Sequence, residues 1–145
     1  MDAMPAVLIV MGGGPGTMDA LVTSLRREGV PPAVVLVVEA GGAAAAVQAF
    51  LATGSLPAEF SNFEKRLEDF EYIKEKQHEF AGELITPYLA ADKLDIGSCV
   101  LSSMLRMQIR RHMMEKGAGD GEGGEALDAA WRAAKRVALL VTCSL

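Results

Sequence analysis

The chain has 145 residues, half of them apolar, which is enough for one domain with a core of its own. A formal net charge of −5 argues against the basic face that nucleic acid requires. Two cysteines, Cys99 and Cys143, stand far apart with no His or Cys at ligand spacing, so reduced thiols are expected rather than a disulfide framework or a metal site.

In chain order, the N-terminus carries Asp2 and no basic segment, unlike a secretory signal. Ala6 to Met11 is a continuous apolar run, as expected of a strand covered on both faces of a parallel sheet. Gly12-Gly13-Gly14-Pro15-Gly16-Thr17 follows, then a helical pattern from Met18 to Glu28 with Thr17 as its expected cap and Leu21, Val22 and Leu25 inward. Gly29-Val30-Pro31-Pro32 ends that helix. Ala33 to Val38, rich in β-branched residues, is the second expected buried strand. Glu39-Ala40-Gly41-Gly42 makes a second turn, and an alanine-rich helix runs from Ala43 to about Leu51. A right-handed crossover makes the two strands parallel and brings both glycine turns to one carboxyl edge, around one crevice.

Thr53 to Ser61 reads as a loop. The charged helix beginning at Ser61 places Phe60, Phe63, Leu67, Phe70 and Ile73 on one stripe, with Lys65/Asp69 and Glu71/Lys74 spaced to pair. Gly82 and Pro87 interrupt the pattern. A further helix is expected over roughly Lys93–Lys116, with Ile96, Val100, Leu101, Met104, Leu105 and Ile109 inward. Residues 117–124 (GAGDGEGG) read as a flexible linker, and a last helix with Trp131 as its anchor runs from Ala126 to about Thr142. Val137 to Leu145 is shorter than the roughly 20 residues a bilayer span needs, so a soluble chain is expected. The division is thus residues 1–60, α/β, and residues 61–145, helical. Two strands do not make a stable sheet, and the apolar pattern still runs at Leu139-Leu140-Val141. A fragment of a longer protein is therefore expected, with other strands supplied from outside it.

The first glycine turn is the feature that looks most like chemistry. Amide N–H groups at a helix start, reinforced by the helix dipole, make an anion site, and glycine lets a phosphate come close. Neither common nucleotide fingerprint fits: no lysine follows for GxxxxGK[ST], and Thr17 or Met18 stands where GxGxxG needs its third glycine. Glu39 ends the second strand, where dinucleotide folds place the acid that binds a ribose hydroxyl. The competing reading is plain connection chemistry, a tight turn between strand and helix. His78 and His112 are isolated, Arg106, Arg110, Arg111 and Lys116 read as a solvated helix face, and Met104, Met107, Met113 and Met114 read first as packing.

The run from Pro5 to Phe50 resembles the second half of the SLOG-type domain of melastatin-type TRP (TRPM) cation channels. Gly13-Gly14-Pro15 match its GGP, Pro32 with Ala33 to Val38 match its proline-flanked strand, and Gly41-Gly42 match its second small turn. Ala49-Phe50 match the end of the following helix. The segment ELITPYLAADKLDIGSCVLSSMLRM resembles the helical region beyond that domain. The resemblance implies a partial doubly wound, Rossmann-like α/β sheet followed by an α-helical segment. It further implies a cytosolic nucleotide-sensing or assembly module on the cytoplasmic face of a membrane, partnered by other channel subunits or cytosolic domains. A nucleotide or ADP-ribose-like ligand would be held by the backbone amides of Gly13, Gly14, Gly16, Thr17, Gly41 and Gly42, with Glu39 on the ribose. Neither a catalytic residue nor a metal is implied. Gly12, Ala43 and Ala46 replace the charged side chains such domains carry around the ligand.

Gly13-Gly14-Pro15-Gly16-Thr17 also resembles the PGGxGTxxE motif of Lonely Guy-type nucleotide phosphoribohydrolases. Ala20 stands where that motif has its glutamate. Asp19, one residue early, is turned about 100° away on a helix. A degenerate domain that binds no ligand and only assembles is the third reading.

Overall fold

The computed structural model describes residues 6–89, 91 and 95–115. The linker expected over 117–124, the last helix with Trp131, and Cys143 lie outside the described residues. The elements are β1 (Val7–Met11), α1 (Pro15–Arg26), β2 (Ala33–Val37), α2 (Gly42–Thr53), α3 (Leu67–Glu79), β3 (Ile85–Tyr88) and α4 (Ile96–Glu115). Short 3₁₀ segments, Val38–Ala40 and Ala58–Arg66, precede α2 and α3. The sheet is parallel throughout, in the order β1-β2-β3.

Both parallel crossovers step in the same direction, so right-handed connections lay α1, α2 and α3 on one face of the sheet. There Val10, Val34, Leu36 and Ile85 join Met18, Leu21, Leu25, Val47 and the phenylalanines of the charged segment in one core. Phe50 and Phe63 flank Phe70, with ring centroids 5.3 and 6.1 Å away. Val35 points to the opposite face and is fully buried there, where α4 crosses the sheet over β2.

Three expectations are corrected. The third strand comes from within the segment read as wholly helical: Ile85–Tyr88 extends the sheet, so the α/β unit does not end at residue 60. Pro87, expected only to interrupt a helical pattern, is tolerated in this strand because its nitrogen lies on the outer side of an edge. Leu67 and half of the anticipated α4 stripe are exposed, Ile96, Leu101 and Leu105 included. Instead α4 turns Ser98, Cys99, Ser103 and Met107 inward, its small residues letting the helix lie close on the sheet. Finally, β1 is not covered on both faces. Val7, Ile9 and Met11 share the α4 face with Ala33, Val35 and Val37, their register partners. Yet α4 centres on β2 and leaves Ile9 43% and Met11 64% exposed.

Candidate functional site

The two glycine turns meet at the carboxyl edge of β1 and β2, as the crossover requires, and they lock together. The N–H of Ala43 donates to the carbonyl oxygen of Gly13 at 2.8 Å, and that of Ala44 to Gly12 at 3.4 Å. Gly41 donates to Val38 at 3.0 Å, closing the 3₁₀ turn. Two of the amides that open α2, those of Ala43 and Ala44, are therefore spent on the first turn rather than left for an anion. The backbones touch so closely that a Cβ on Gly42 would lie 2.3 Å from the Gly13 oxygen. Gly12, Gly13, Gly41 and Gly42 all have positive φ, which permits the contact.

At the start of α1, Gly14 is the N-cap and Pro15 is the first helical residue. Thr17 is thus inside the first turn rather than the cap that its sequence position implies. Its side chain occupies the space over Gly13, where a Cβ would fall 2.1 Å from Oγ1. The amides of Thr17 and Met18 both point at the Gly14 carbonyl, at 3.0 and 3.4 Å. Gly14 and Gly16 face open space. Glu39 is exposed in the 3₁₀ turn between the strands and the second glycine pair. The edge therefore gathers Gly13, Gly14, Gly16, Thr17, Glu39, Gly41 and Gly42, but it holds the turns shut against each other.

Asp19 has a structural partner. Both of its carboxylate oxygens meet the Arg66 guanidinium, Oδ2 at 2.9 Å from Nη2, and Arg66 also reaches Asp69 at 3.4 Å. These hydrogen bonds and the arginine's charge hold the Asp19 carboxyl below its ordinary pKa. A carboxylate so held is a weak proton acceptor near neutral pH. The pairing also replaces the expected one, since Asp69 meets Arg66 and not Lys65. Lys74 lies 5.9 Å from the Phe50 ring centroid, and Lys76 pairs with Glu79 at 2.9 Å.

A cavity of about 320 Å³ that the motifs did not signal opens at the other end of the strands. Arg27, Glu28, Arg111, Met104 and Met107 are among the residues that line it. Finding it required α4 to be placed against the α1–β2 connection, a contact no local pattern encodes. Among the described residues no group of His, Cys, Asp and Glu could hold a metal ion. No helix among them is long and apolar enough to cross a membrane. Comparison with protein-family models, with curated proteins and with solved structures returned no match.

Proposed function

We propose that this chain is a non-catalytic assembly module on a Rossmann-like sheet of the SLOG kind, its glycine turns serving the fold rather than a ligand. In the setting the resemblance implies, it is a cytosolic part of a TRPM-like cation channel that packs against other subunits or cytosolic domains. The observation that carries this reading is the locked pair of turns: the Ala43 and Ala44 amides are engaged, and Gly42 presses on Gly13. A phosphate would have to break those contacts to reach the Ala43 and Ala44 amides. The missing charges at Gly12, Ala43 and Ala46 point the same way.

Nucleotide sensing is the second reading, and one observation favours it. Open space over Gly14 and Gly16 leaves the start of α1 accessible, with helix-dipole charge to attract an anion. The enzyme reading is weakened by the Arg66 clamp on Asp19 and by Ala20 in place of a carboxylate.

Titration calorimetry with ADP-ribose and with adenine nucleotides at millimolar concentration decides between the first two. We expect no heat of binding and no rise in Tm. A ligand at about a hundred times its Kd would add about 2.7 kcal/mol of stability; such a rise would overturn the assembly-only reading. Free base released from nucleoside monophosphates, and lost in Asp19→Asn, would establish the enzyme.

A further inference from the structure

The two edges of the sheet are built differently. In a parallel ladder alternate residues turn their N–H and C=O to opposite sides. Ala33 donates to Ala6 and Val34 to Leu84, so Ile85 and Pro87 direct their backbone groups out of the β3 edge. That edge is closed. The side-chain amide of Gln77 takes both groups of Ile85: Oε1 accepts its N–H at 2.7 Å and Nε2 donates to its carbonyl at 3.0 Å. Pro87 has no N–H to offer. Both are ways in which native sheets stop strand addition.

The β1 edge has neither device. By the same alternation Val7, Ile9 and Met11 turn their N–H and C=O groups outward, and no described element pairs with them. The strand VLIVM contains no charge, proline or glycine. Beside it runs an open groove of about 340 Å³, lined by Leu8, Ile9, Val10, Met11, Thr17, Ala20 and Leu21. A bare, apolar edge of this kind is a template for another strand.

We infer that β1 pairs with β1 of a second copy of this chain, antiparallel across a two-fold axis at Ile9, joining two sheets into one. The occupant follows from the symmetry of the edge. Outward groups stand at 7, 9 and 11, evenly about Ile9. Turning the strand end for end places Ile9 on Ile9 and Val7 on Met11, and every outward N–H then meets a carbonyl. Two-fold pairing brings the edge against a copy of itself, so an edge with charges of one sign would repel its copy. The edge and its groove carry none, although the whole chain has a net charge of −5. The exposed side chains of Ile9 and Met11 gain apolar cover in the same step.

This deepens the assembly reading, and its test separates the two. Sedimentation equilibrium of the full chain should return a dimer mass. Ile9→Lys, at a half-exposed position, should be monomeric with an unchanged circular dichroism spectrum. Leu67→Lys, at a similarly exposed apolar residue but on α3, should stay dimeric. The register is read by cysteine linking under mild oxidation, with the wild type as control for Cys99 and Cys143. Ile9→Cys should cross-link, because facing Cα atoms in such a pair lie about 5.5 Å apart. Met11→Cys should not, since its two copies lie about 14 Å apart along the strands. A monomeric wild type overturns the pairing, whether the edge is then covered by the same chain or by another protein, and leaves assembly with other partners standing. A dimer that survives Ile9→Lys, or that links through Met11→Cys and not Ile9→Cys, overturns it equally.

Discussion

A β carbon on Gly42 would lie 2.3 Å from the oxygen of Gly13 and 2.8 Å from its nitrogen, on a backbone with φ of +56°. Gly42→Ala therefore meets two costs, strain in a left-handed conformation and a clash with main chain that cannot rotate aside. We expect a loss of about 3 kcal/mol or more, seen as a lower midpoint in urea. Gly16 is the contrast: it lies in the first turn of α1 with nothing near its Cβ position. Gly16→Ala should raise stability by a few tenths to about 1 kcal/mol, from helix propensity and a less flexible unfolded chain. The two glycines are indistinguishable in sequence, each in a small run between strand and helix. Were Gly42→Ala to unfold at the wild-type midpoint, the turns would be free to part and the anion crevice would be restored as a site.

Gln77 does at the scale of elements what a neighbouring strand would do. It reaches from α3 to bind Ile85 on both sides and Gly82 at 2.9 Å, so it holds the α3–β3 connection and the strand itself. Gln77→Ala leaves the backbone of a buried residue without partners, which costs about 1–3 kcal/mol. The expected result is a Tm lower by about 4–8 °C. Gln77→Glu, which keeps only the acceptor, should fall between. This is also why β3 was not legible in the sequence. Four residues with a proline carry too little local preference, and the strand is set by β2, by a side chain eight residues upstream, and by α4 through Arg106, whose Nη2 donates to Thr86 at 3.0 Å. By contrast β1, α1, β2 and α2 are local structures, readable from an apolar run or a helical period bounded by glycine and proline. Their parallel pairing follows from crossover handedness. The candidate site divides on the same line. That both glycine turns share an edge follows from connectivity. That they are hydrogen-bonded shut depends on residues 12 and 13 meeting 43 and 44, a tertiary contact that no motif encodes.

The two faces of the sheet are unequal in the whole molecule, and stability should be distributed accordingly. One face carries three helices and the Phe50, Phe63, Phe70 cluster. The other is covered by α4, which buries Ser98, Cys99 and Ser103 while Leu101 stays 44% exposed. The hydroxyl of Ser103 and Nε of Arg106 are buried without a hydrogen-bond partner, which lowers what α4 gains by docking. Burial of small polar side chains stabilises far less per residue than that of leucine or phenylalanine. Native-state hydrogen exchange should therefore find β2 amides, at Val34, Val35 and Leu36, opening only with global unfolding. The amides of α4 should exchange through a smaller, separate opening that uncovers Val35. Ser103→Ala removes the unpartnered hydroxyl and improves helix propensity, so it should slow exchange across α4 and leave β2 at the global limit. Exchange of α4 and β2 with one common free energy would show instead that α4 is locked into the core, its outward leucines notwithstanding.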